Sequence, residues 1–97
     1  MAETYQSFYQ NEIRALELEI DDEDGNDFVP SAAYVQVKDE TGTTVIAEQA
    51  AQVSANAIRT VIGTIVTSIP GTYKVIWRIR YGSYTYYHVT VLEIQEL

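Results

Sequence analysis

The stretch Gly71-Thr72-Tyr73-Lys74-Val75-Ile76-Trp77-Arg78-Ile79-Arg80-Tyr81 decides the fold. Tyr73, Val75, Trp77 and Ile79 occupy every second position, with Lys74, Ile76, Arg78 and Arg80 between them. A strand sends successive side chains to opposite faces, so this period of two predicts a strand with one buried face. Pro70-Gly71 breaks the chain before it and Gly82-Ser83 turns it afterwards. Residues 84–94 then return, which predicts a hairpin over 72–81 and 84–94, with Val89 and Val91 directed inward.

Working back from this hairpin, residues 57–69 are rich in β-branched side chains and read as a strand bent at Gly63. Residues 48–56 fit a helical turn, a loop or an irregular strand. Thr43 to Ala47 reads as a strand, joined by the turn Asp39-Glu40-Thr41-Gly42 to another in which Ala33, Val35 and Val37 alternate with Tyr34, Gln36 and Lys38. Residues 13–20 alternate as well: Leu16, Leu18 and Ile20 on one side, Glu17 and Glu19 on the other. Between these two segments lies the acidic loop of residues 21–27. Residues 1–12 show no clear period and read as an arm or an edge element, ahead of a single domain over 13–97. About seven short strands, with turns roughly every ten residues and no convincing helix, predict an all-β, immunoglobulin-like antiparallel sandwich, with a small barrel as its rival.

The bulk properties set limits on function. A chain of 97 residues has room for one core, and 46% hydrophobic with 21% charged residues is a globular balance. No apolar run approaches the roughly 20 residues of a membrane helix. The start, Met1-Ala2-Glu3-Thr4-Tyr5, lacks a basic and then apolar leader, so the chain is expected to be a complete product made and kept in the cytoplasm unless released by lysis or inside a particle. The absence of cysteine excludes disulfides and cysteine-based metal sites. A domain this small without such staples is marginal alone, and a partner subunit is expected to help. Residues 1–30 hold nine acids against one base, Arg14, which is the whole net charge of −8. Such an acidic pole disfavours nucleic acid.

Catalytic chemistry finds little to stand on. The single histidine, His88, lies in a strand among tyrosines, and none of the serines sits on a strand-turn-helix elbow. One histidine and no cysteine make poor zinc ligands. The acids of residues 21–27 have the hard oxygens calcium prefers, but Gly25 comes fourth from Asp22 where an EF-hand needs it sixth, and a solvated turn is the plainer reading. No catalytic residue, metal site or cofactor is therefore expected. The last hairpin mixes Tyr73, Trp77, Tyr81, Tyr84, Tyr86 and Tyr87 with Lys74, Arg78 and Arg80. Three readings fit: cross-strand pairing on one sheet, with Glu17 and Glu19 neutralising the arginines; a protein interface; or stacking of nucleic-acid bases. An exposed Ile76 among them favours contact with another chain.

Gly71-Thr72-Tyr73, ahead of a long strand with Trp77, is similar to the tyrosine-corner region of immunoglobulin-like domains, although Val75 stands where antibody domains carry a cysteine. Asp24-Gly25-Asn26, the run from Tyr34 to Gly42, Val45-Ile46 and Pro70-Gly71-Thr72-Tyr73 together resemble the small β-sandwich domains of tailed-bacteriophage structural proteins, such as the N-terminal domain of upper baseplate proteins, over residues 13–94. That resemblance implies a non-enzymatic virion component of the head, neck, tail or baseplate, partnered by other virion proteins in a symmetric assembly and not by nucleic acid or membrane. The residues expected to make those contacts are Tyr5, Phe8 and Tyr9 of the arm and Ile76, Arg78, Arg80, Tyr84 and Tyr86 of the hairpin, with the arm adding to an open sheet edge. A cell-surface or carbohydrate-binding module using exposed tyrosines is the alternative.

Overall fold

The described residues form eight strands and one helical turn, in the chain order β1 (Glu3–Tyr9), β2 (Arg14–Glu19), β3 (Ala32–Asp39), β4 (Thr44–Ala50), β5 (Gln52–Ser54), β6 (Ala57–Ile62), α1 (Thr64–Thr67), β7 (Gly71–Tyr81) and β8 (Tyr84–Gln95). The computed structural model describes residues 3–20 and 29–97; the acidic loop of residues 21–27 lies outside them. One sheet has the order β1-β8-β7-β3-β4 and faces a second of order β2-β6-β5. Among the described residues every pairing is antiparallel except that of β1 with β8, which is parallel over Glu3↔Val89 to Tyr9↔Gln95.

The period of two in β7 holds along its length. Tyr73, Val75, Trp77 and Ile79 are buried, and Trp77 is 0% exposed. They meet Ala33, Val35 and Val37 of β3, Leu16 of β2, Ile58 and Ile62 of β6, and Val66 of α1. In β8 the inward residues are Thr90, Leu92 and Ile94. Val89 and Val91 lie on the outer face, contrary to the expectation from their side chains. Register explains the phase: Trp77 pairs with His88 and Val75 with Thr90, so even-numbered residues of β8 share the inner face of odd-numbered residues in β7. A buried threonine is tolerable there because the Trp77 indole N–H donates to its hydroxyl at 3.0 Å.

Residues 57–69 are not one bent strand. β6 ends at Ile62, and Gly63 opens the four-residue α1, which drops Val66 into the core. Its β-branched residues carry strand propensity, but burial of Val66 beneath the sandwich edge outweighs it. Residues 48–56 resolve into the end of β4 and the short β5. Gly82 adopts φ 60 at the first position of the two-residue β7–β8 turn, the conformation a type II′ hairpin requires. Asp39 closes the β3–β4 turn: its Oδ1 accepts from the Thr41 N–H, the Thr41 hydroxyl and the Thr43 N–H. These bonds, the Thr41 hydroxyl foremost, hold its carboxyl below the usual carboxylate value.

Residues 3–9 of the arm form an edge strand of their own domain. Phe8 plugs the core at 1% exposure and is no contact residue. The Arg14 guanidinium lies 4.1 Å above its ring, which caps the plug with a cation. At the other end, Thr4 Oγ1 lies 2.9 Å from Thr90 Oγ1 and 3.1 Å from His88 Nε2.

Candidate functional site

The outer face of the five-stranded sheet gathers most of the residues expected to make contacts. Its centre is a row of half-buried aliphatic side chains, Ile76, Val89 and Val91. Register places Ile76 between Gln36 and Val89, and Val91 between Tyr5 and Lys74. Tyr5, 71% exposed, flanks the row on β1, with its hydroxyl donating to Glu3 Oε1 at 2.8 Å. Tyr34 and Tyr87 flank it beyond Arg78, which pairs in register with both. Ile76 is half-buried rather than exposed, since its neighbours on β3 and β8 cover its sides.

Arg78 is held in place. Its Nε and Nη2 donate to the two carboxylate oxygens of Glu48 at 3.2 and 2.8 Å, and its guanidinium stacks 4.3 Å from the Tyr34 ring. Glu17 and Glu19 do not neutralise it, because they belong to the other sheet, where Glu17 stands opposite Arg59. The arginine bond holds the Glu48 carboxyl below its usual value. A bidentate fork that also stacks presents its face in one orientation. Alternation and these bonds place Lys38, Lys74, Arg78 and Arg80 on the outer face against Glu3, Glu48 and Glu93, a net of +1 on a chain of −8.

Tyr84 and Tyr86 do not join this surface. They stand on the inner side of the sheet, in the part of the long hairpin that extends past β1, which begins opposite Val89. They remain 65% and 47% exposed, with ring centroids 6.4 Å apart. Two surfaces on opposite sides of one sheet thus replace the single hairpin surface expected. Tyr9, 55% exposed, completes the outer face at the end of β1.

A cleft of about 270 Å³ opens between β4, β6 and α1, but Val37, Ile46, Val61, Ile65 and their neighbours give its walls no ionisable group. His88 faces Thr4 rather than a carboxylate partner, and burial holds it below the ordinary imidazole value against a smaller upward pull from Glu3. No group of three or more His, Asp or Glu side chains gathers to hold a metal among the described residues. No helix there is long and apolar enough to cross a membrane.

Two facing sheets, a first strand running parallel to the last, and a Tyr73 hydroxyl donating to the Ile69 carbonyl at 2.7 Å define an immunoglobulin-like β-sandwich with a tyrosine corner. No protein-family model and no curated protein matches the chain. Among solved structures it is similar to the CBM51-2 and INT domains of Clostridium perfringens ZmpB, with a TM-score of 0.58 and 18% identity over 95% of this chain. The chain spans only 17% of that one. It is also similar to the immunoglobulin-like domain of mouse leukocyte-associated immunoglobulin-like receptor 1, solved as a strand-swapped dimer, with a TM-score of 0.50 and 15% identity over 94% of this chain and 88% of that one. At these identities the likeness is one of fold, and neither structure is a phage component.

Proposed function

We propose that the chain is a non-catalytic structural module of a virion that works by protein–protein contact through the outer face of its five-stranded sheet. The observation that carries this reading is the Ile76, Val89 and Val91 row, ringed by tyrosines and a pinned Arg78. Aromatic residues and arginine at the margin of an apolar centre are the composition of interface cores. The face is also nearly neutral, so a neighbour can approach it without meeting the charge of the acidic pole. The resemblance of residues 13–94 to phage sandwich domains supports the choice of particle. In the test, virions are assembled with wild-type chain or with Ile76→Arg, whose fold is checked by circular dichroism. Antibody against the chain labels the former particles and not the latter. Unlabelled wild-type virions, or equal incorporation of the variant, refute the reading.

The exposed pair Tyr84 and Tyr86 favours a second reading, a carbohydrate-binding module that stacks sugar rings on those side chains. A glycan-array signal that disappears with Tyr86→Ala and survives Ile76→Arg selects it over the first.

A further inference from the structure

Among the described residues the sandwich has four sheet edges, and three are defended against pairing with another strand. β4 is bulged, with register shifts on either side of Val37. β5 has three residues. β2 carries Arg14, Glu17 and Glu19 along six. Bulges, shortness and charge are the devices by which natural sheets prevent edge-to-edge association. β1 uses none of them along its seven residues, which contain no proline and one charge, Glu3.

Its backbone shows which part is open. In a parallel pair, alternate residues direct both backbone groups at the partner strand. Gln10 N–H donates to Gln95 O, so even positions face β8 and odd positions face outward. Tyr9 is already engaged on its outward side: its N–H donates to Glu12 Oε1, and its carbonyl accepts from the Glu12 N–H. Arg14 Nη2 reaches the Ser7 carbonyl at 3.2 Å, leaving that oxygen a second lone pair. The open segment therefore runs from Glu3 to Ser7, centred on Tyr5.

We propose that this segment pairs with its own copy, joining two sandwiches through antiparallel β1 strands into one continuous ten-stranded sheet about a two-fold axis at Tyr5. A second copy fits because the segment is self-complementary. Tyr5 meets Tyr5 across the axis and Glu3 meets Ser7, so no like charges stand opposite one another despite the −8 of each chain. The two tyrosines lie side by side on the outer face. Pairing about Gln6 instead would set Glu3 opposite Tyr9, whose outward groups Glu12 holds, and leave only Tyr5 and Ser7 to pair.

Sedimentation of the intact chain over a range of concentration and salt tests this. A reversible dimer is expected, tightening as salt screens the repulsion between two acidic chains. Tyr5→Lys sets two cations face to face and weakens the dimer by at least about tenfold, or ~1.4 kcal/mol. Ser7→Lys places a cation opposite Glu3 and leaves the dimer as strong or stronger. Tyr5→Pro removes an outward N–H and one exposed hydroxyl bond to Glu3 but no bond of the β1–β8 ladder, so it yields a folded monomer by circular dichroism. A wild-type chain that is monomeric at every concentration and salt overturns the proposal. So does a dimer indifferent to Tyr5→Lys, or one weakened equally by Ser7→Lys. Ile76→Arg leaves this dimer intact, which separates its fate from that of the outer-face contact.

Discussion

Replacing Thr90 by valine keeps the shape of the core and removes the acceptor on which the indole of Trp77 depends. Trp77 is fully buried and donates to Thr90 Oγ1 at 3.0 Å, and the same hydroxyl meets Thr4 of β1 at 2.9 Å. An orphaned buried donor costs about 1–3 kcal/mol. The methyl that replaces the hydroxyl recovers at most ~0.8 kcal/mol. A net loss of about 1–2 kcal/mol lowers the melting temperature by roughly 4–16 °C for a domain of this size. Urea unfolding followed by circular dichroism should show a lower midpoint at unchanged slope. The assignment to one bond is checked by a cycle with Trp77→Phe, which has no N–H to orphan: there the Thr90→Val penalty shrinks toward zero. A variant as stable as wild type, or an equal loss in both backgrounds, refutes the reasoning.

Tyr73→Phe removes the tyrosine corner by deleting the 2.7 Å bond to the Ile69 carbonyl, and thermal denaturation should show a loss of about 0.5–1.5 kcal/mol. Ala55 sits at φ 51 in the turn between β5 and β6; relief of a left-handed penalty of roughly 1–2 kcal/mol outweighs the greater unfolded freedom of glycine, so Ala55→Gly raises the urea midpoint. Burial lowers the His88 pKa, so the unfolded chain takes up that proton first. The stabilisation is present above the unfolded value near 6.5 and is lost as pH falls through it toward the folded value. Melting temperatures between pH 7.5 and 5 should therefore decline, and His88→Gln should flatten that part of the profile.

Residues 71–81 carried the architecture because every second side chain in β7 is large and apolar and the strand is buried on one face along most of its length. The tyrosine corner was legible for a similar reason: it is a local device, joining residues four apart. Where a face is mixed, composition misled. Val89 and Val91 are better strand-core residues than Thr90 by hydrophobicity, and only the pairing of β8 with β7, together with the indole awaiting an acceptor, sets Thr90 inward. Thr64 to Thr67 form a helical turn although all four are β-branched, since Val66 must reach a core that is built from distant strands. The split of the hairpin residues between two surfaces was hidden by the same parity. Arg78 and Tyr86 are near neighbours in the hairpin, but an even position in β7 and an even position in β8 face opposite ways. Its bond to Glu48 spans thirty residues and leaves no trace in local pattern.

The parallel union of β1 and β8 has a mechanical consequence. Tension applied at the two ends of the chain would draw these neighbours past each other along their length, loading the seven paired positions from Glu3↔Val89 to Tyr9↔Gln95 together instead of unzipping them in turn. Rupture then requires a concerted event, and resistance to pulling is governed by the height of that barrier and not by overall equilibrium stability. A domain of modest thermal robustness can thus serve as a stiff link in a chain under strain.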